Sequence, residues 1–351
     1  MVTGAYPPEV CGVGDYTYRL MAAAPPTWQL FVERDWSPGA AFGIVRRLLA
    51  RRPTDVIIQY PTQGYGWSLV PHLLILIGGL TRLYRGILAL HEFTSLSGKA
   101  QWALALVSHF ASHIIFTTEV ERDRARAHPL FSSRVETSII GILSNIPWTD
   151  PMPRFDGRTI DIAYFGHVRP NKGLEDFLDV MAGIRHTDQT IRIAVIGEIP
   201  RGYEDFGLMA AERCREIGAE LILGLDDAEA GCRLADIKIL YLPFRDGVSA
   251  RRGTALAGLG NGALLATRLG NATPTSLLPA IIPCSGTASD IDTLLSSLRL
   301  SNDEAARFQM AGRTYIDAML PLDWGHVATL YESAIADAIG PVAQPIGSSS
   351  S

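Results

Sequence analysis

Short apolar runs alternate with longer amphipathic stretches along most of this 351-residue chain. In the first half the strand-like runs are MVTGAY, WQLFVE, DVIIQY, GILALHEF, HIIFTTE and ETSIIGIL. Helical periodicity separates them near 15–24, 38–52, 69–81, 97–112 and 119–128. Apolar runs that each feed a helical pattern predict a parallel sheet, because helices then cover both faces of the strands. At 145–158 the rhythm breaks in NIPWTDPMPRFDGR, whose three prolines read as a linker. It resumes with TIDIAYFG, TIRIAVIGE, AELILGL, IKILYLPF, GALLATR and a shorter AIIPCS, separated by helical patterns near 173–184, 203–217, 227–235 and 251–261. Two further helical patterns, near 287–320 and 324–339, close the chain. The expected architecture is α/β, two doubly wound halves facing a cleft. Their expected bounds are 1–150 and 151–322, followed by a helix at 323–340 and a flexible tail at 341–351.

Composition narrows the classes. Hydrophobic residues at 47% and a mean hydropathy of +0.15 describe a globular chain, and a net charge of −5 argues against nucleic acid as a partner. The charge is uneven, +2 over residues 1–150 and −7 over the rest, so the first half suits visits to an anionic surface. Cys11, Cys214, Cys232 and Cys284 lie far apart with no metal-ligand spacing. Reduced thiols and no secretory pattern at the start make the cytoplasm the expected compartment. LVPHLLILIGGL (69–80), bounded by Arg82 and Arg85, is shorter than the ~20 residues of a spanning helix. A buried helix is expected there, with peripheral membrane contact through this half as the alternative.

Candidate chemistry sits where strands run into helices. Gly12 and Gly14 open a helix after the first strand and allow either a close anion approach or only a tight turn. His91 and Glu92 end the GILAL strand. The loop after Gly166 carries Arg169 and Lys172 just before Gly173 and a helix, a combination suited to a phosphate or diphosphate. Gly197 and Glu198 end another strand, while Asp226 or Asp227 reads as a helix cap. A DxD at Asp290 and Asp292 reads first as acids of a helix start, and no other acid pair suggests a metal. FRDGVSARRGTALAG (244–258) packs Asp246, Ser249, Arg251, Arg252, Gly253 and Thr254 directly after IKILYLP.

Taken in order, YPPEVCGVGDYTYRL, LHEF, IIFTTEVER, SNIP, YFGHVRPNKG, LYLPFRDGVSARRG and NGALLAT resemble a glycosyltransferase of the GT-B fold, in the family-4, glycogen-synthase-like group. The resemblance implies two Rossmann-like domains, a nucleotide-sugar donor, retention of anomeric configuration, and no metal or other cofactor. It implies that the Gly12–Gly14 loop faces the donor, and that His91 contacts the donor sugar. Arg169 and Lys172 would neutralise the leaving diphosphate, with Gly166, Gly197, Glu198 and Leu225 lining the nucleotide pocket. The closing DWGHVATLYESAI resembles the family's last helix, which usually crosses back onto the first domain. By family association the acceptor is a glycan or lipid-linked glycan of cell-envelope or exopolysaccharide assembly.

Two departures stand out. Relatives carry two glutamates seven residues apart after LP. Here alignment puts Gly247 or Ser249 at the first place and Ala257 at the second, with Asp246 the nearest acid. Ser249, Gly253 and Thr254 are then expected to offer donors to the phosphates, and Arg251 or Arg252 to add charge. Only Met1–Ala5 precede the YPP turn, so an upstream extension is also expected. The missing glutamates raise a second reading, a catalytically silent subunit that binds a nucleotide sugar. A sugar-nucleotide epimerase would want more acids, and a dinucleotide oxidoreductase would want a third glycine where Thr17 stands.

Overall fold

The computed structural model describes residues 1–337 apart from Val10, Asn145 and Leu322. The tail expected at 341–351 and residues 338–340 of the expected last helix lie outside the described residues. Two compact units form, Met1–Ile142 with the chain from Pro321 onward, and Leu143–Leu320.

The first unit runs β1 (Val2–Thr3), α1 (Gly12–Ala23), β2 (Phe31–Val32), α2 (Ala41–Ala50), β3 (Asp55–Tyr60), α3 (Val70–Thr81), β4 (Arg85–Leu90), α4 (Gly98–Val107), β5 (His113–Phe116), α5 (Glu119–Arg126) and β6 (Glu136–Ile139). All strand pairs are parallel, in the order β2-β1-β3-β4-β5-β6. The chain therefore reverses direction across the sheet between β1 and β3, the place where loops diverge and a crevice opens. Val56–Tyr60 and Gly86–Leu90 are buried without alternation, as strands covered on both faces require. Right-handed crossovers put α2, α3, α4 and α5 on one face and α1 on the other.

The second unit runs β7 (Ile160–His167), α6 (Leu174–Thr187), β8 (Ile193–Glu198), α7 (Glu204–Glu216), β9 (Glu220–Leu223), α8 (Asp227–Ala235), β10 (Ile237–Leu242), α9 (Gly253–Gly260), β11 (Leu264–Arg268), β12 (Ile281–Cys284), α10 (Thr287–Ser297) and α11 (Asn302–Met319). Its order, β12-β11-β10-β7-β8-β9, is that of the dinucleotide-binding Rossmann sheet, with the reversal between β7 and β10. The chain then returns to the first unit as α12 (Trp324–Asp337), which packs on α1 and β5.

The helical pattern expected over 287–320 is two helices. Apolar Leu298 and Leu300 carry the periodicity across the junction, but Ser301 starts a new helix. Its hydroxyl accepts from the Glu304 amide, and the Glu304 carboxylate accepts from the Ser301 amide. The linker belongs to the second unit. Thr149 donates through its amide and hydroxyl to Asn261 Oδ1, both at 3.0 Å. Fully buried Arg158 donates to the carbonyls of Ile237, Pro153 and Asn261 at 2.9–3.1 Å. Desolvation holds its pKa down to about 10, opposed by the Asp236 charge.

Candidate functional site

In the second unit the carboxyl ends of β7 and β10 flank the reversal, and the loops that leave them are tied together. Gly173 precedes α6 at φ +87°, and a Cβ there would lie 2.8 Å from the Pro243 carbonyl oxygen, so only glycine fits. On the other side, a Cβ at Gly166 would touch Thr254 Cγ2 at 3.4 Å, which sets the start of α9 against the end of β7. The N-termini of α6 and α9 thus lie at one reversal, each with the partial positive charge of a helix start. Gly197, paired with Gly166, has no room for a side chain, since its Cβ would fall 1.9 Å from the Gly166 oxygen. Gly224 donates to the Gly197 carbonyl at 3.3 Å, which carries the loop of Leu225 along the same edge two strands from β7.

The cations of this edge are held in place. Tyr164, buried in β7, puts its hydroxyl 3.3 Å from the carbonyls of both His167 and Lys172, closing the loop that contains Arg169. Burial and then Glu175 push its pKa up, and the fields of Arg169 and Arg252 oppose them. Arg169 and Arg252 come to this edge from different loops, those after β7 and β10. Arg169 stands over the Tyr203 ring at 5.9 Å. Arg245 donates to Asn171 Oδ1 at 3.1 Å, a second tie between the two loops. Arg252 stacks over Phe244 at 4.5 Å and pairs with Asp246, which is largely exposed. Asp246, the acid nearest to where the resemblance would place glutamates, is thus already the partner of an arginine. Ser249 accepts from the Arg252 amide through its carbonyl, and the Gly253 amide bonds back to the Arg251 carbonyl at 3.0 Å. The Gly253 N–H, expected as a phosphate donor, points within that turn. Thr254 remains the residue at the start of α9 that meets Gly166. Glu198 ends β8 exposed, opposite His167 in the ladder.

Gly12, Gly14 and His91 belong to the first unit. Gly12 begins α1 exposed, and a Cβ there would meet open space, whereas one at Gly14 would lie 3.0 Å from the Ala5 oxygen. Gly14 thus serves close packing and Gly12 leaves the loop accessible. Thr17 is fully buried, and its hydroxyl donates one turn back along α1 to the Val13 carbonyl at 2.7 Å. His91 follows β4 as expected, but its ring is buried: Nε2 donates to Gln59 Oε1 at 2.6 Å, and Tyr16 meets it edge-on at 4.9 Å. The Tyr16 and Tyr331 hydroxyls lie 3.4 Å apart, which joins α12 to this group. Glu121 secures the loop after His91, with its carboxylate accepting from the Phe93 and Thr94 amides at 2.6 and 2.8 Å and from the Thr94 hydroxyl at 2.7 Å.

Among the described residues no group of three or more His, Cys, Asp and Glu is placed to hold a metal ion. Asp290 is fully buried and structural. It accepts from the Ser285 and Gly286 amides and from the Tyr241 hydroxyl at 2.6–3.1 Å.

No protein-family model and no curated protein matches the chain. Solved structures do. It is similar to HepE of Anabaena in complex with UDP and glucose, at 11% identity and a TM-score of 0.62 over 88% of this chain and 86% of that one. A glycosyltransferase from Rickettsia africae matches at 11% identity and 0.65, over 89% and 86%. The α,α-trehalose-6-phosphate synthase of Burkholderia multivorans matches at 10% and 0.61, over 86% and 76%. The fold is that of the GT-B glycosyltransferases. Tyr164 and Asn171 tie the loops of the second unit, and Gln59 and Glu121 those of the first, and none of the four stands out in the sequence as a candidate. A tyrosine in IDIAYFG and a glutamine in DVIIQY are polar groups inside apolar strands, a signal that each needs a buried partner.

Proposed function

We propose that this chain is a retaining, metal-independent glycosyltransferase. It moves a sugar from a nucleotide-sugar donor to a glycan or lipid-linked glycan acceptor in cell-envelope or exopolysaccharide assembly, at the cytoplasmic side. The observation that carries this reading is the meeting of two helix starts and two arginines at the β7–β10 reversal. Arg169 and Lys172 come from one loop and Arg252 from the other, with Thr254 against Gly166. When the sugar–phosphate bond breaks, positive charge spreads over the sugar ring and negative charge builds on the departing diphosphate. Fixed donors aimed at that charge stabilise the transition state with little reorganisation. Arg169 and Lys172 supply them here, Arg252 and the α9 start hold the same group from the other side, and Gly197, Glu198 and Leu225 border the nucleoside. Arg251 adds charge nearby. In the first unit His91 and the Gly12–Gly14 loop would meet the sugar, His91 with its ring orientation set by Gln59.

The experiment screens UDP-, GDP-, ADP- and dTDP-sugars for a rise in melting temperature, then measures nucleotide release with the best binder. Release that persists in EDTA is expected. No stabilisation by any of them would overturn the reading. Binding without release would favour the silent subunit, which the engagement of Asp246 by Arg252 supports.

A further inference from the structure

One face of the first unit is apolar where it should be polar. Along α3 and its entry, Leu69 and Leu80 are each 65% exposed and Leu73 is 36% exposed, with Leu76 and Ile77 half-buried between them. At about 100° per residue these five positions fall within one 100°-wide stripe. The neighbouring α4 adds Trp102 and Leu106, one turn apart and both about half exposed. Helices α3 and α4 approach closely, because a Cβ at Gly79 would lie 2.5 Å from the Phe110 oxygen just past α4. The stripe therefore continues from one helix to the next. At its amino end, Trp67 is 90% exposed at the lip of a cleft of about 820 Å³ walled by Trp36, Tyr65, Leu69, Val70 and Leu73.

The segment that builds this face is poor in acids, although Asp35 lies exposed beside Trp36 at the cleft and Asp55 pairs with Arg85 at 2.6 Å. From residue 56 to residue 118 the sequence holds a single acid, Glu92, against Arg82, Arg85 and Lys99. Arg82 ends α3 exposed, and Lys99 is exposed on α4 one turn before Trp102. Leucines on an outward stripe, tryptophans at its edges and cations beside it are the composition of an element that lies in the headgroup layer. A protein partner of ordinary composition would not call for the lack of acids. No described helix is long and apolar enough to cross a membrane, so contact here means lying on the surface.

We propose that the α3–α4 face docks on an anionic phospholipid bilayer, with Leu69, Leu73, Leu80 and Leu106 entering the acyl boundary. Trp67 and Trp102 anchor at the interface, and Arg82 and Lys99 meet the headgroups. This stands whether or not the chain transfers a sugar. The test is sedimentation of the full chain with vesicles of phosphatidylcholine alone or mixed equally with phosphatidylglycerol. Binding to the mixed vesicles is expected, weaker at about 0.5 M salt. Brominated acyl chains should quench emission, and Trp67→Phe with Trp102→Phe should remove most of that quenching. Leu73→Glu with Leu80→Glu should lower binding by about tenfold or more. These positions are exposed, so an unchanged melting temperature is expected. Arg82→Glu with Lys99→Glu should weaken binding to the mixed vesicles without touching the leucines. Wild-type protein that stays in the supernatant with both vesicles overturns the proposal, as does binding insensitive to both variants. A wild-type dimer that the leucine variant splits would assign the face to a second copy instead.

Discussion

Lys172 and Glu121 show two ways in which a single charged residue serves this protein. Lys172 lies in a loop closed by Tyr164, directly before the glycine that starts α6. Under the proposed function, its loss removes a fixed donor to the departing phosphate. Lys172→Ala should keep its melting temperature and lose about a hundred- to thousandfold in kcat; near-normal turnover by the purified variant would remove it from the site. Glu121 does its work on backbone. It satisfies two amides of the loop after β4 that would otherwise lack partners. In Glu121→Ala, hydrogen exchange at Phe93 and Thr94 should rise by orders of magnitude, toward that of local opening, while the β3 amides keep their protection. The loop of Arg169 and Lys172 could be placed from the sequence, because it follows a strand-ending glycine and precedes a helix. The Asp246–Arg252 pair and the buried ring of His91 could not, because each depends on which neighbour the fold supplies.

At the scale of elements, apolar runs marked the strands well where both faces are covered, as in β3, β4, β7 and β10. The shortest strands were overestimated. MVTGAY and WQLFVE each contribute only two residues to the sheet, and the turn chemistry around them takes the rest. Periodicity also ran through the junction of α10 and α11, where the capping serine outweighs the apolar spacing. Helix α3 carries a pH dependence of its own. His72 is buried against the Tyr60 ring, and neither ring nitrogen has a partner among the described residues. Desolvation by burial holds its pKa down at about 4, from 6.5. A neutral imidazole kept this way contributes stability that is complete above the unfolded value near 6.5. That stability is lost as the pH falls toward 4, and the amplitude is at most about 3 kcal/mol. Melting temperatures measured from pH 7 to 4 should show this loss, and His72→Leu should flatten it over that window.

At the scale of the molecule, the sequence announced two α/β halves without their strand orders. Both sheets are parallel, yet one reverses between β1 and β3 and the other between β7 and β10. Strand order is set by which helices cross which face, a long-range choice that local periodicity does not encode. The two units also have separate cores. The first unit is built from both ends of the chain, and Val327 and Tyr331 of α12 are buried. Removing the chain from Pro321 onward should lower the calorimetric transition of the first unit alone; an equal shift of both transitions would contradict this. The same arrangement has a consequence for synthesis. All of Leu143–Leu320 emerges from the ribosome ahead of α12, so the second unit can complete its core first. The unit begun first is then the last to be finished. Until α12 emerges, its α1 and β5 surfaces wait uncovered, and this interval is when a nascent chain most needs protection from its neighbours.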